Sequence, residues 1–308
     1  MFTRKSLVLF FLLFVLLVVN AAGFAAEKET RQQENGAAYN DAASFADKDS
    51  LRIALCHLDL SQGPQAKNIE KIEKAIRMAG EHGAHWIVTP ETALQGYYFY
   101  VIDPKQKEKI EIQPSDNIRP LLEASSRYGA YLFLGAGEYD KQADRYRNSC
   151  LIFGPEGKLV GRHSKLSAHV GFGAEVWSTN AYTVEPIVCD DIKIGALVCS
   201  DIWFLQYPRM LADKGAQIII DIAAWPPTKE TGDPLPSWEL ASARTKLPVV
   251  ICNQTGKPRW MDMTPGQSAV VEDGKAKLLY SGEEAVLLFD WNHKTGKVIS
   301  EKFEQVRF

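Results

Sequence analysis

Several segments of this chain are apolar on both faces when read as β-strands, and this pattern limits the folds open to it. Residues 192–199 (IKIGALVC) and 216–225 (AQIIIDIAAW) show it most clearly. Strands without a polar face are buried on both sides, which is typical of layered α/β proteins. Earlier in the chain, Ile72 and Ile76 belong to an apolar set with helical spacing, which predicts a helix over residues 65–81. We therefore expect an α/β architecture.

The remaining segments continue this alternation of strands and helices. Further strands are predicted over residues 51–60, 84–90 and 130–139, and further helices over residues 116–128, 205–214 and 238–246. Residues 148–165 predict a β-hairpin, because Gly-Pro-Glu-Gly at 154–157 favours a turn. No linker rich in glycine, serine or proline divides residues 51–308, so this region is expected to form a single domain.

The N-terminus has the composition of an export signal. Arg4 and Lys5 precede an uncharged apolar run at residues 7–19, and small residues follow it. This order predicts a secretory signal peptide over residues 1–26, with an uncleaved membrane anchor through the same run as the alternative. Residues 27–50 are polar and aperiodic, which predicts a disordered linker. The protein is therefore expected to be periplasmic or secreted, and at a membrane only if the apolar run is retained.

Charge and cysteine content narrow the class of protein. A net charge of -3 gives no reason to expect nucleic acid as a partner. The spacing of cysteines and histidines matches no zinc or haem pattern, so no metal or other cofactor is predicted. The absence of Cys-x-x-Cys argues against a disulfide oxidoreductase. We expect Cys56, Cys150, Cys189 and Cys252 to be small buried residues, with disulfides as the alternative in an oxidising compartment.

Three reactive side chains stand where predicted strands end. Glu91 follows the strand at 84–90, Lys165 follows the second arm of the hairpin, and Cys199 closes the strand at 192–199. Ligand sites of layered α/β folds lie beyond the carboxyl ends of their strands. Each residue also has an ordinary explanation, as a solvated carboxylate, a surface lysine or a buried apolar cysteine.

Taken together, the three segments resemble the signature segments of the nitrilase superfamily, the carbon–nitrogen hydrolases. Glu91 stands in TPETALQGYYF, where Pro-Glu is followed by Gly96-Tyr97; Lys165 stands in GKLVGRHSKL; and Cys199 stands in GALVCSDIWF. Later segments resemble the family in the same order, at residues 208–226, 238–256 and 266–274. The resemblance covers about residues 51–290, which is nearly all of the predicted domain.

The resemblance implies a fold and a set of roles. The fold is an α-β-β-α sandwich of the carbon–nitrogen hydrolase type, with sheets pairing across subunits of a homodimer or larger homo-oligomer. Cys199 is the expected nucleophile, Glu91 the general base and acid, and Lys165 the stabiliser of the oxyanion. The backbone N–H of Ser200 is a second oxyanion donor, and Glu175 is the best match to the family's second glutamate, which orients the lysine or the substrate.

The expected substrate is a small molecule with an amide or N-carbamoyl group. True nitrilases usually carry Trp-Glu after the cysteine, whereas Ser200-Asp201 here is similar to the amidase and carbamoylase branches. Tyr97 and Trp203 are candidates for lining the pocket, although aromatic residues near strand ends more often belong to the core. Asp201 is expected to cap the helix that follows it.

Other functions remain open at this point. The same three residues would serve an acyltransferase, in which the thioester passes to an amine instead of water, or an enzyme that hydrolyses nitriles. A different class is a catalytically silent exported protein that binds a ligand through the same fold. The complete set of glutamate, lysine and cysteine argues against that last alternative, because binding alone does not need all three.

Overall fold

The computed structural model describes residues 49–97, 104–167, 184–229, 232–259 and 261–308. The predicted signal peptide and almost all of the predicted linker lie outside these ranges. Within them, no helix is both long enough and apolar enough to cross a membrane. The described α-helices are α1 (Gln65–Glu81), α2 (Arg119–Arg127), α3 (Gln206–Asp213) and α4 (Leu235–Thr245).

The described strands form two sheets. The strands of the first are β1 (Ser50–His57), β2 (Trp86–Val88), β3 (Tyr131–Asp140), β4 (Arg145–Phe153), β5 (Leu159–Ser164), β12 (Ala285–Asn292), β13 (Lys297–Val298) and β14 (Glu304–Arg307). Their order is β13-β12-β1-β2-β3-β4-β5, and β14 pairs with β12. The centre of this sheet, β1-β2-β3, is parallel, while β4 and β5 form an antiparallel hairpin.

The second sheet carries the strands that are apolar on both faces. Its strands are β6 (Ile187–Cys189), β7 (Ile192–Val198), β8 (Ile218–Ala223), β9 (Val249–Asn253), β10 (Gln267–Glu272) and β11 (Lys275–Ser281). They run in the order β11-β10-β9-β8-β7-β6, with β7, β8 and β9 parallel. Every residue of β8 and β9 is buried, as expected for strands covered on both sides.

The elements stack in four layers. Helices α1 and α2 pack on the outer face of the first sheet, where Ile72 and Leu121 meet the buried Leu132 of β3. The inner faces of the two sheets share one core. On the outer face of the second sheet, Gly195 gives α3 room to pack, because a Cβ there would lie 2.8 Å from Leu211. The α-β-β-α sandwich is therefore confirmed, and its four layers form within one chain without dimerisation; pairing of sheets across subunits stays a prediction.

Most predicted elements occur close to their expected positions. The helix at 65–81 has the bounds that its periodicity predicts. The strand expected to end at Cys199 ends at Val198, because the backbone of Cys199 turns into a short 3₁₀ helix over Cys199–Trp203. All five cysteines are free and buried, including the four expected to be structural.

Candidate active site

The three residues singled out from sequence meet at the carboxyl ends of their strands. Lys165 Nζ donates a 2.7 Å hydrogen bond to Glu91 Oε1, and both side chains are buried. Cys199 lies beside this ion pair, since both members of the pair perturb the pKa of its thiol. The first sheet supplies Glu91 and Lys165, and the second supplies Cys199, so the site lies where the two sheets face each other.

The segment that carries Glu91 passes very close to β3. A Cβ at Gly135 would lie 1.9 Å from the carbonyl oxygen of Pro90, so only glycine allows this approach. The backbone carbonyl of Glu91 then accepts a 2.7 Å hydrogen bond from Gln254 Nε2, which follows β9. The Glu91 N–H reaches the carbonyl oxygen of Ala223 at 3.4 Å. The glutamate is thus fastened to both sheets through its main chain.

The Glu91 carboxylate is held from both sides. Its Oε1 accepts hydrogen bonds from Lys165 Nζ and from Asn148 Nδ2, each at 2.7 Å. Its Oε2 accepts the Ala224 N–H at 3.0 Å. The same N–H also favours the thiolate of Cys199, so the carboxylate and the sulfur share one donor. A carboxylate fixed by three donors keeps a single orientation toward the thiol.

Cys199 occupies a left-handed backbone conformation with φ of +55°. Such values are uncommon for residues other than glycine, and they cost roughly 1–3 kcal/mol unless the surroundings hold them. Here the Cys199 N–H donates a 2.7 Å hydrogen bond to Asp221 Oδ1 on β8. The neighbouring Val198 N–H reaches Asp201 Oδ2 at 3.3 Å. The buried carboxyl groups of Asp221 and Asp201 thus hold the turn that carries the Cys199 thiol.

Asp201 connects the lysine and cysteine segments. It accepts the Val198 N–H at the start of the 3₁₀ helix Cys199–Trp203, whereas helix α3 begins without a side-chain cap, which corrects the expectation that Asp201 caps that helix. Its Oδ1 accepts the N–H groups of Leu166 and Ser167, each at 2.9 Å, and the Ser167 hydroxyl at 2.8 Å. Its Oδ2 lies 3.0 Å from His163 Nε2. Although burial raises the pKa of Asp201, these hydrogen bonds and nearby Lys165 hold it below its ordinary value. The carboxylate therefore fixes the loop that begins with Lys165 against the turn that begins with Cys199.

The charges of the site affect one another. Burial raises the pKa of the Cys199 thiol well above its ordinary value, Glu91 raises it further, and Lys165 and the Ala224 N–H partly oppose this. Burial alone would lower the pKa of Lys165, yet Cys199, Glu91 and Tyr97 together raise it well above the ordinary value. The resting site therefore holds a protonated thiol and a charged lysine.

The other predicted site residues have different positions. Tyr97 packs beside Ala224 and lies close enough to influence Lys165. Trp203 is 55 % exposed, and its ring lies against that of Trp225 at a centroid distance of 5.4 Å, with the ring planes tilted by 37°.

Ser200 and Glu175 complete the set of predicted site residues. Ser200 is buried, and its hydroxyl is 3.0 Å from that of Ser167, within the segment that Asp201 anchors. Glu175, the match to the family's second glutamate, lies outside the described residues.

Two residues of this cluster did not stand out in the sequence. Asn148 lies in the buried part of the hairpin strand β4 and donates a hydrogen bond to Glu91 across the first sheet. Asp221 is the one charged residue within the strand IIIDIA. An isolated carboxylate in a strand that is otherwise apolar is a usable signal, because burying it without a partner is costly.

A buried thiol beside a fixed carboxylate and a fixed ammonium group forms a set suited to covalent catalysis. The carboxylate can accept the thiol proton, the sulfur can attack an electrophilic carbon, and the cation can stabilise the negative charge that develops.

Comparison with known proteins identifies the family of this chain. The carbon–nitrogen hydrolase family matches residues 52–282. The omega-amidase NIT2 of Mus musculus is 25% identical over 254 residues, covering 78% of this chain and 87% of that protein. A nitrilase of Pyrococcus abyssi is 30% identical over 155 residues, covering 50% of this chain and 57% of its own length.

Solved structures share the fold. An amidase from Nesterenkonia sp. has a TM-score of 0.71 at 18% identity, over 82% of this chain and 94% of its own. Nit3 of Saccharomyces cerevisiae, a member of branch 10 of the nitrilase superfamily, has a TM-score of 0.68 at 22% identity, over 80% and 92%. Because the family match spans three quarters of the sequence, the chain belongs to the carbon–nitrogen hydrolases of the nitrilase superfamily.

Proposed function

We propose that this carbon–nitrogen hydrolase cleaves the amide or N-carbamoyl bond of a small molecule through a thioester on Cys199. The observation that carries the proposal is the buried cluster in which Lys165 and Ala224 bind the Glu91 carboxylate beside the thiol. An amide carbonyl is a poor electrophile, so its cleavage needs both a strong nucleophile and stabilisation of charge, and this cluster contains groups for each.

In the first half of the reaction, Glu91 accepts the proton of the Cys199 thiol as the sulfur attacks the carbonyl carbon. The oxygen becomes an oxyanion, which the Lys165 ammonium group and the Ser200 N–H stabilise. Glu91 then donates the proton to the leaving nitrogen, the C–N bond breaks, and ammonia or an amine departs. The acyl group is left on the sulfur as a thioester.

In the second half, Glu91 removes a proton from a water molecule that attacks the thioester carbon. The C–S bond breaks as the tetrahedral intermediate collapses, and the carboxylic acid product leaves. The proton on Glu91 returns to the sulfur, which restores the resting thiol. Lys165 keeps its charge throughout, consistent with a pKa raised by Cys199 and Glu91 despite its burial.

Three observations favour an amide over a nitrile. Ser200-Asp201 follows the nucleophile, and Asp201 is fully buried as the anchor of the lysine loop. The relatives that match 78% of this chain include omega-amidases. One structure of the Nesterenkonia amidase, in a mutant form, contains the acetamide moiety of fluoroacetamide bound covalently at its active-site cysteine.

The test is a substrate screen on the purified full-length chain. Primary amides, N-carbamoyl compounds and nitriles are each incubated with the protein, with a Cys199→Ala variant as the negative control and Cys252→Ala as the matched control. We expect ammonia release from amides or N-carbamoyl compounds with the wild type and Cys252→Ala only. Turnover restricted to nitriles would contradict amide hydrolysis and indicate nitrile hydrolysis. Product formation only when an acceptor amine is added would indicate acyl transfer.

We also propose that residues 1–26 act as a signal peptide and that the exported protein is a homo-oligomer. The basic, apolar and small-residue order of the first 26 residues supports the first point. N-terminal sequencing of protein secreted by a host cell tests cleavage, and sedimentation of the mature protein tests assembly. A protein that keeps residue 1 and remains with membranes would indicate the anchored alternative.

A further inference from the structure

Asp221 is a buried carboxyl group beside the site that the proposed reaction does not use. It lies in the middle of β8, is fully buried, and points to the helix layer, where Trp238 of α4 donates to its Oδ2 at 3.2 Å. Its Oδ1 accepts the Cys199 N–H at 2.7 Å. Both donors are neutral N–H groups, one of the backbone and one of an indole ring.

The hydrogen bond between Asp221 and the Cys199 N–H holds the backbone at the turn that carries the thiol. The chain leaves β7 in an extended conformation at Val198 and turns left-handed at Cys199. This turn determines where the sulfur points, and Asp221 binds the N–H of the turning residue itself. The bond also occupies that N–H, so the backbone donor left for an oxyanion in this turn is the N–H of Ser200.

The carboxyl group has a second relevant property, its charge. Burial raises the pKa of Asp221 well above its ordinary value, and the carboxylates of Asp201 and Glu91 raise it further. The Cys199 N–H and Lys165 oppose this only in part.

The charge of Asp221 also raises the pKa of the Cys150 thiol on the facing sheet. A neutral Asp221 holds the turn without adding a negative charge that would oppose the Cys199 thiolate.

We propose that Asp221 is a positioning residue, which holds the left-handed turn at Cys199 through the bond to its N–H and thereby aims the nucleophile. Trp238 in turn holds the second carboxyl oxygen. The proposal rests on the proposed function, because it takes Cys199 as the nucleophile. It predicts the orientation and the reactivity of the Cys199 thiol.

A pair of substitutions separates the two hydrogen bonds. In Asp221→Asn, the amide oxygen can still accept the Cys199 N–H. The NH₂ group of the amide then faces the indole N–H of Trp238, so that two hydrogen-bond donors face each other. In a Trp238→Phe background this conflict is gone. We expect Asp221→Asn/Trp238→Phe to have a kcat within about threefold of Trp238→Phe, because the bond to Cys199 is kept. Asp221→Leu, which cannot accept, should lose about 100-fold in kcat with little change in KM.

The readout that does not depend on amide turnover is alkylation of Cys199 by iodoacetamide, followed by peptide mass spectrometry as a function of pH. Asp221→Leu should react more slowly at every pH while retaining a cooperative thermal transition. The double variant should be alkylated at the rate of Trp238→Phe, since its amide oxygen still accepts the Cys199 N–H. Unchanged alkylation and kcat in a folded Asp221→Leu would overturn the proposal, as would alkylation of the double variant as slow as that of Asp221→Leu. If the wild type hydrolyses no amide, the alkylation data still decide this point.

Discussion

Two thiols, both buried between the sheets of this molecule, have opposite environments. Cys252 lies within the regular strand β9, and its sulfur contacts the carbonyl oxygens of Val88 at 3.2 Å and Cys56 at 3.5 Å. Cys199 lies just beyond β7 in a left-handed turn, beside a carboxylate and an ammonium group.

Burial raises the pKa of both thiols, so burial does not distinguish them. Around Cys252, the groups that affect the pKa are other thiols and a backbone group. Around Cys199 they include Glu91, which can accept a proton, and Lys165, which can stabilise an anion. This difference in neighbouring groups shows that a buried thiol becomes a candidate nucleophile when charged side chains lie beside it.

Removing each thiol should give the sharpest contrast. Cys199→Ala is expected to lower kcat/KM by a factor on the order of 10⁴ or more, because no other group can form the thioester. Cys252→Ala should leave kcat/KM unchanged and lower the free energy of unfolding by about 1 kcal/mol through lost packing. Steady-state kinetics and urea denaturation of both variants measure these effects. Equal loss of activity in the two would remove the distinction.

The ion pair beside Cys199 should give the next largest effect. Lys165→Met leaves the buried Glu91 carboxylate without its cation, which should lower the free energy of unfolding by about 3 kcal/mol and kcat by about 100-fold or more. Glu91→Gln/Lys165→Met contains no unpaired charge there and should recover much of the stability without recovering activity. Chemical denaturation of the single and double variants tests this, and a stable Lys165→Met protein would contradict the buried pairing.

Glu91→Gln should make the thiol more acidic while making the enzyme slower. Glu91 raises the pKa of Cys199 and Lys165 lowers it, so removing the negative charge shifts the pKa of the thiol downward. The rate of iodoacetamide alkylation at Cys199 should therefore rise at lower pH than in the wild type, while kcat falls because the amide cannot accept a proton. Cys252 should stay unreactive in both proteins, and an upward shift at Cys199 would contradict the charge assignment.

The smallest effect concerns the anchor of the turn. Ser167→Ala removes one hydrogen bond to the Asp201 carboxylate but leaves its bonds to backbone N–H groups. We expect a loss of about 1 kcal/mol in the free energy of unfolding and a modest fall in kcat. Thermal unfolding and kinetics measure both. No change in either would show that the Ser167 hydroxyl does not help to hold the turn.

The same contrast explains what could be predicted from sequence. Glu91, Lys165 and Cys199 could be predicted because each follows a strand and lies in a recognisable segment, and the layers could be predicted from strands that are apolar on both faces. Asn148 and Asp221 were not, because their roles come from hydrogen bonds between distant segments, which no local pattern encodes. The same reason accounts for what was missed at Asp201, where local spacing indicated a helix cap but most of the hydrogen bonds come from the loop of Lys165.

The most direct test of the central claim is to trap the acyl group on the protein. A slowly hydrolysed amide is mixed with the enzyme, the reaction is quenched in acid, and intact mass and peptide mapping locate the adduct. A mass increase equal to the acyl group without its amine, found on the peptide containing Cys199 and absent from that containing Cys252, is the predicted result. Turnover that persists in Cys199→Ala, or an acyl group found on another residue, would contradict it.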